Sequence, residues 1–489
     1  MTGGSVVVAR GILRNAGALF LVGLFAKGMG LVIAILVARF LGADAMGLFA
    51  LLFSVAMLLE TFISIGMSDS LVRDVAARPQ QAFNLYFRSL KLVAAISILP
   101  MLALLLWAMR VDDDATRYGL MVVAIGTPVS GVFVVSQAVL QGIERVLLLT
   151  WVTFVARLVS LVWLLVALYT GGGVEMALAS RVAFQALSVA AFYVVMRRQR
   201  SGAKADFTSR SLLTQSLPFA LNRALGELAV RLPSLVLPGT AGLAASGVFD
   251  TANRVRSTLG MTMSAAITGM MPSFARQFAG PAADSHRLVG YSLKYMCLAI
   301  AVVATVMGLA AEWIIGILFG AEFAAAVRPL EILAWAQVLV AVDAVLQQAL
   351  LAAGQAYATV RHAAVGVTAQ LVLILILALT SMLDLPGIAL AVLLASAVTL
   401  FIDLRYLVKH VAAIPVRRFV AGPLAATAVV AAAMFVADGH ALGARVLVAV
   451  LAWAGVTMLF GLLPRDELKF MARLAALPGI GRGPRPRAE

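Results

Sequence analysis

The chain has 489 residues, 62% of them hydrophobic and only 12% charged, with a formal net charge of +15; its mean hydropathy is +1.01. Soluble domains are about half apolar and about a quarter charged, so a string of soluble helical domains is excluded. A basic balance would suit nucleic acid in a soluble chain; in a membrane chain it marks cytoplasmic loops instead.

Apolar runs of about 20 residues, long enough to cross a bilayer, recur along almost the whole sequence. Fourteen spans are predicted, at roughly 16–40, 47–69, 90–109, 118–140, 146–169, 174–195, 213–237, 243–268, 289–318, 329–352, 362–383, 386–408, 419–437 and 441–463. Arg10 and Arg14 precede an apolar stretch too long for a signal h-region, so it reads as the first span. That span carries Lys27, beside Gly28 and Gly30, and the second carries Glu60. Pro128 interrupts the fourth, and Arg157 and Arg181 lie in the fifth and sixth.

The seventh span places Arg223, Glu227 and Arg231 four residues apart, on one helical face. A charge at a span's centre costs roughly 2.5–3.5 kcal/mol. That face must therefore meet protein or a watery cavity. The eighth span holds Asp250, Arg254 and Arg256, and the tenth holds Asp343. Arg39, Asp69 and Arg256 lie close enough to span ends to snorkel. The ninth region is long enough to include an interfacial turn.

With the N-terminus in the cytoplasm, 26 of the 38 lysines and arginines fall in cytoplasmic segments and five in outer ones. This asymmetry places both termini in the cytoplasm. An internal echo links Leu41-Gly42-Ala43-Asp44-Ala45-Met46-Gly47-Leu48-Phe49 to Ala241-Gly242-Leu243-Ala244-Ala245-Ser246-Gly247-Val248-Phe249. A second links Gln137 to Gly142 with Gln348 to Gly354. Six spans per copy make parallel repeats about an axis along the membrane normal. The expected organisation is a first lobe at 1–196, a basic cytoplasmic linker at 197–212 and a second lobe at 213–410. Two appended spans at 411–464 and a cytoplasmic tail at 465–489 follow.

Charges inside spans are functional candidates by default. The basic set is Lys27, Arg157, Arg181, Arg223, Arg231, Arg254 and Arg256; the acidic set is Glu60, Glu227, Asp250 and Asp343. The i,i+4 pairs could instead neutralise one another and act as interhelical glue. The positive surplus favours a site for an anion such as phosphate or pyrophosphate. The single cysteine, Cys297, excludes an intramolecular disulfide. His286, His362, His410 and His440 fall in or near predicted loops without ligand spacing, so no metal site is expected. No GxxxxGK[ST] loop is present, and no outer loop is long enough for a catalytic domain, so the chain reads as a transporter and not an enzyme.

The stretch Ala38-Arg39-Phe40-Leu41-Gly42-Ala43-Asp44-Ala45-Met46-Gly47 resembles the A-R-x-L-G-x-x-x-x-G pattern of bacterial polysaccharide flippases of the Wzx type. Leu140-Gln141-Gly142-Ile143-Glu144-Arg145 resembles that family's L-Q-G-x-x-R region, and the span layout matches over nearly the whole chain. These flippases belong to the MOP superfamily, with the MATE exporters and the lipid II flippase. The resemblance implies an all-α protein with two six-helix lobes around a central cleft plus two C-terminal helices. It implies transfer of undecaprenyl-pyrophosphate-linked oligosaccharide across a bacterial plasma membrane by alternating access. On that reading Lys27, Arg223, Arg231, Arg254 and Arg157 would hold the anion. Glu60, Glu227, Asp250 and Asp343 would balance charge or couple transport to H+ or Na+. No cofactor is implied; the partners are the lipid-linked oligosaccharide, membrane lipids and other polysaccharide-assembly proteins. Lipid II flipping and cation-coupled small-molecule export stay open as alternatives.

Overall fold

The computed structural model describes residues 3–64, 67–197, 209–278, 282–380, 384–412, 414–437 and 439–459. The side chains of Lys27, Asp69 and His286, most of the basic linker and the whole 465–489 tail lie outside the described set. Among the described residues every regular element is helical. In chain order these are α1 (Gly3–Ser64), α2 (Met67–Ala77), α3 (Ala82–Ala108), α4 (Asp114–Gly142), α5 (Val146–Tyr169), α6 (Val174–Arg197), α7 (Ser209–Thr240) and α8 (Leu243–Phe278). There follow α9 (Ala282–Leu309), α10 (Ala311–Leu318), α11 (Val327–Ala352), α12 (Ala356–Leu379), α13 (Leu385–His410), α14 (Gly422–Val436) and α15 (Leu442–Leu459).

Eleven of these helices are long and apolar enough to cross a membrane. One of them, α1, is two spans, because Gly42 at φ +81° breaks it into two arms. The charged helices α7 and α8 are not among the eleven, yet their 32 and 36 residues reach about 48 and 54 Å. Both arms of α1, with α7 and α8, bring the eleven to the fourteen crossings expected. The turn expected in the ninth region falls at Ala310, between α9 and α10. Two aspartates fix helix starts: Asp113 accepts from the Thr116 amide and Asp384 from the Gly387 amide, each at 2.8 Å. The sequence reading did not anticipate α2; its buried Leu71 and Val75 anchor it on α4.

Packing divides the helices into halves. In the first, α3 packs on α4, and α4 and α5 pack on α6. In the second, α7 packs on α12, α8 and α9 pack on α11, and α11 and α12 pack on α13. The seam is α1, which touches α4, α5 and α6 on one side and α7 and α8 on the other. The last pair, α14 and α15, attaches through α9. Leu99, Trp151, Trp313 and Leu379 are each more than half exposed. Such an apolar exterior is stable only against lipid.

The echoed turns have matching geometry. Gly242, at φ +89°, opens α8 as Gly42 opens the second arm of α1, a conformation in which only glycine is unstrained. Five residues on, the two elements press together. A methyl on Gly47 would stand 1.9 Å from the Leu243 carbonyl oxygen, and one on Gly247 would stand 2.2 Å from that of Ala43. A clasp lies beside this contact. Arg39 donates to the carbonyls of Ile317 and Leu318, and the Ala43 amide donates to Glu322 at 2.8 Å. The two halves are thus sealed at this end.

Candidate substrate cavity

Beyond that seal the halves part around a cavity of about 650 Å³. Five arginines line it, Arg157, Arg181, Arg231, Arg254 and Arg256, with four carboxylates, Glu60, Glu227, Asp250 and Asp343. The guanidinium groups divide by partner. Three are held by carboxylates. Arg181 on α6 pairs with Glu60 on α1, which also accepts from Gln185 at 3.1 Å. Arg231 lies 3.5 Å from Glu227 one turn away on α7, and Arg254 pairs with Asp250 one turn away on α8. Hence the i,i+4 spacing of α7 and α8 is used for self-neutralisation within each helix.

The other two have no carboxylate partner among the described residues. Arg157 on α5 lies over the Phe184 ring, 3.9 Å from its centroid. Arg256 on α8 is only 6% exposed and is held by neutral amides. It donates to Asn253 Oδ1 at 2.9 and 3.2 Å and to Gln337 Oε1 at 3.4 Å. Snorkelling was expected for Arg256; the structure buries it, because α8 runs on to Phe278 and carries it deeper than a span end. A cation satisfied only by dipoles and a ring keeps its field, so these two guanidinium groups leave positive potential on the cavity wall.

The second half holds a further polar cluster. Asp343 on α11 lines the cavity and accepts from Gln347 at 2.8 Å. Oδ1 of Asp343 and Oδ2 of Asp403 on α13 are both buried without a hydrogen-bond partner among the described residues. Asp403 is fully buried and stands 2.5 Å from Nδ1 of His362 on α12. The Tyr406 ring closes the far side of His362, at 5.1 Å between centroids.

Backbone at the cavity is also braced. Pro233 lacks an N–H, so the helical partner of the Ala229 carbonyl is missing. Gln370 of α12 supplies the donor, at 3.0 Å. Asn253 donates to the next carbonyl, Val230, at 3.4 Å.

Of the nine predicted site residues, Glu60, Arg157, Glu227, Arg231, Asp250, Arg254 and Asp343 come together on this cavity. Arg223 does not; it is exposed, 3.4 Å from Ser68 of α2. Lys27 lies outside the described side chains. The cavity adds Arg181 and Arg256, both noticed as buried charges but not assigned to the site, and places Asp403 and His362 behind its wall. His362 reads as a loop residue in sequence, but α12 begins at Ala356 and carries it into the bundle. Asp403 sits near a span's end, where a charge is commonplace.

Two helical halves closing on a charged cavity beneath a membrane-type exterior define a two-lobed membrane transporter. The family model described as polysaccharide biosynthesis protein matches residues 12–278, more than half of the chain, and the chain belongs to that family. Solved structures share the fold. The lipid II flippase MurJ, in an inward closed conformation, superposes with a TM-score of 0.62 at 13% identity, covering 90% of this chain and 98% of that one. An inward-facing multidrug resistance MATE family transporter of the MOP superfamily gives a TM-score of 0.63 at 18% identity, covering 77% and 92%. A MOP superfamily transporter from Pyrococcus furiosus, described as having a binding pocket of reversed polarity, gives 0.61 at 17%, covering 81% and 94%. No curated protein matches the sequence.

Proposed function

We propose that the protein is a flippase, carrying undecaprenyl-pyrophosphate-linked oligosaccharide from the cytoplasmic to the outer leaflet of a bacterial plasma membrane. It serves the synthesis of surface or exported polysaccharide, with both termini in the cytoplasm, and it makes and breaks no covalent bond. The observation that carries this reading is the pair Arg157 and Arg256, facing one inter-lobe cavity without carboxylate partners among the described residues, in a chain of a polysaccharide biosynthesis family. A pyrophosphate is the anion such guanidinium groups hold best. Arg231 and Arg254 join them when the substrate displaces Glu227 and Asp250. Rocking of the halves about the α1 seam alternates access. Proton or sodium movement through Asp343, with Asp403 and His362 behind it, couples the cycle. A cation exporter fits less well, since arginines outnumber carboxylates on the wall.

Deleting the gene and identifying the lipid-linked saccharide that accumulates on the cytoplasmic face tests the reading. An undecaprenyl-linked oligosaccharide supports it. Accumulation of lipid II instead moves the assignment to peptidoglycan precursors, and accumulation of neither overturns it.

A further inference from the structure

Phe53 stands on the second arm of α1, on the cavity wall. Three guanidinium groups from three helices surround its ring. Arg254 of α8 lies 5.0 Å from the centroid, Arg231 of α7 lies 5.1 Å away, and Arg181 of α6 lies 5.6 Å away. Phe49, one turn earlier, packs on Phe53 at 5.6 Å and adds a second ring for Arg254 at 5.1 Å. Three cations around one point repel one another. The ring's quadrupole draws each of them in, and Glu60, Glu227 and Asp250 each neutralise one. These carboxylates do not exhaust the donors. Nη2 of Arg254 is buried and has no hydrogen-bond partner among the described residues.

We infer that Phe53 is a positioning residue that sets selectivity for a diphosphate head over a monophosphate. The inference rests on the flippase reading. Without the ring, Arg181 belongs to the first half and Arg231 and Arg254 to the second, each turned to its own carboxylate. With it, the three forks converge. A diphosphate presents oxygens on two phosphorus centres and engages guanidinium groups of both halves together; a monophosphate engages fewer of them. Phe53 makes no hydrogen bond to the substrate. Its effect passes through the arginines, so chemistry at this position matters more than volume.

The test uses the full-length protein in lipid nanodiscs and two probes, polyprenyl diphosphate and polyprenyl monophosphate of equal chain length. Wild type is expected to prefer the diphosphate. F53L is expected to weaken diphosphate binding about tenfold while moving monophosphate binding less than about twofold, and F53Y, which keeps the ring, is expected to restore the preference. If F53L keeps the wild-type preference, or if F53Y loses as much as F53L, the assignment of Phe53 is overturned and the flippase reading stands. If wild type itself shows no preference for the diphosphate, the flippase reading falls and takes this assignment with it.

Discussion

The two walls of the cavity balance their charge differently. On the first-half wall Glu60 faces two arginines, Arg157 and Arg181, leaving one positive charge over. On the second-half wall Arg231, Arg254 and Arg256 meet Glu227, Asp250 and Asp343, one carboxylate for each arginine. The proposed anion pair, Arg157 and Arg256, draws one guanidinium group from each wall.

The sharpest way to break the comparison is to remove the free charge from the first wall. Arg157→Ala is expected to reduce flipping of a labelled lipid-linked oligosaccharide in proteoliposomes about 10- to 100-fold, the worth of one charge-assisted contact. Arg157→Lys should recover part of it. On the second wall, Asp403→Asn keeps the shape of the cluster and removes its charge. Response to an imposed proton or sodium gradient should fall about tenfold while exchange without a gradient persists, since coupling free energies run to a few kcal/mol. Gln370→Leu tests the brace. It orphans the Ala229 carbonyl and should lower stability by about 1–3 kcal/mol, read as a drop in Tm in detergent. Arg223→Ala sits at the small end. Exposed and outside the lining, it is expected to change transport less than about twofold, the scale of a surface contact.

Much of the architecture was legible because a bilayer enforces it. Every apolar run of about 20 residues had to be a helix, and the breaks at Gly42 and Gly242 were visible as an echo. The site was partly legible for the same reason: a charge in a span has to face inward, and seven of nine residues chosen on that ground share one cavity. What sequence spacing did not reveal was partnership. The i,i+4 pattern of Arg223, Glu227 and Arg231 looked like one functional face, yet Glu227 is committed to Arg231 and the helix carries Arg223 out towards Ser68. Arg256 and His362 were misjudged because the helices run deeper than hydropathy alone delimits. Phe53 was invisible, since nothing in a sequence tells a lipid-facing phenylalanine from one that three arginines approach.

The glycine contact between α1 and α8 bears on a demand that has nothing to do with substrate. A membrane that stores energy as an ion gradient tolerates a wide polar cavity only if one end is watertight. Gly47 and Gly247 bring backbone against backbone, with no room for a side chain between them. The neighbouring clasp of Arg39 on the end of α10 and of Glu322 on the α1 turn holds that plug shut. Opening the cavity at this end has to undo the glycine contact and the clasp together.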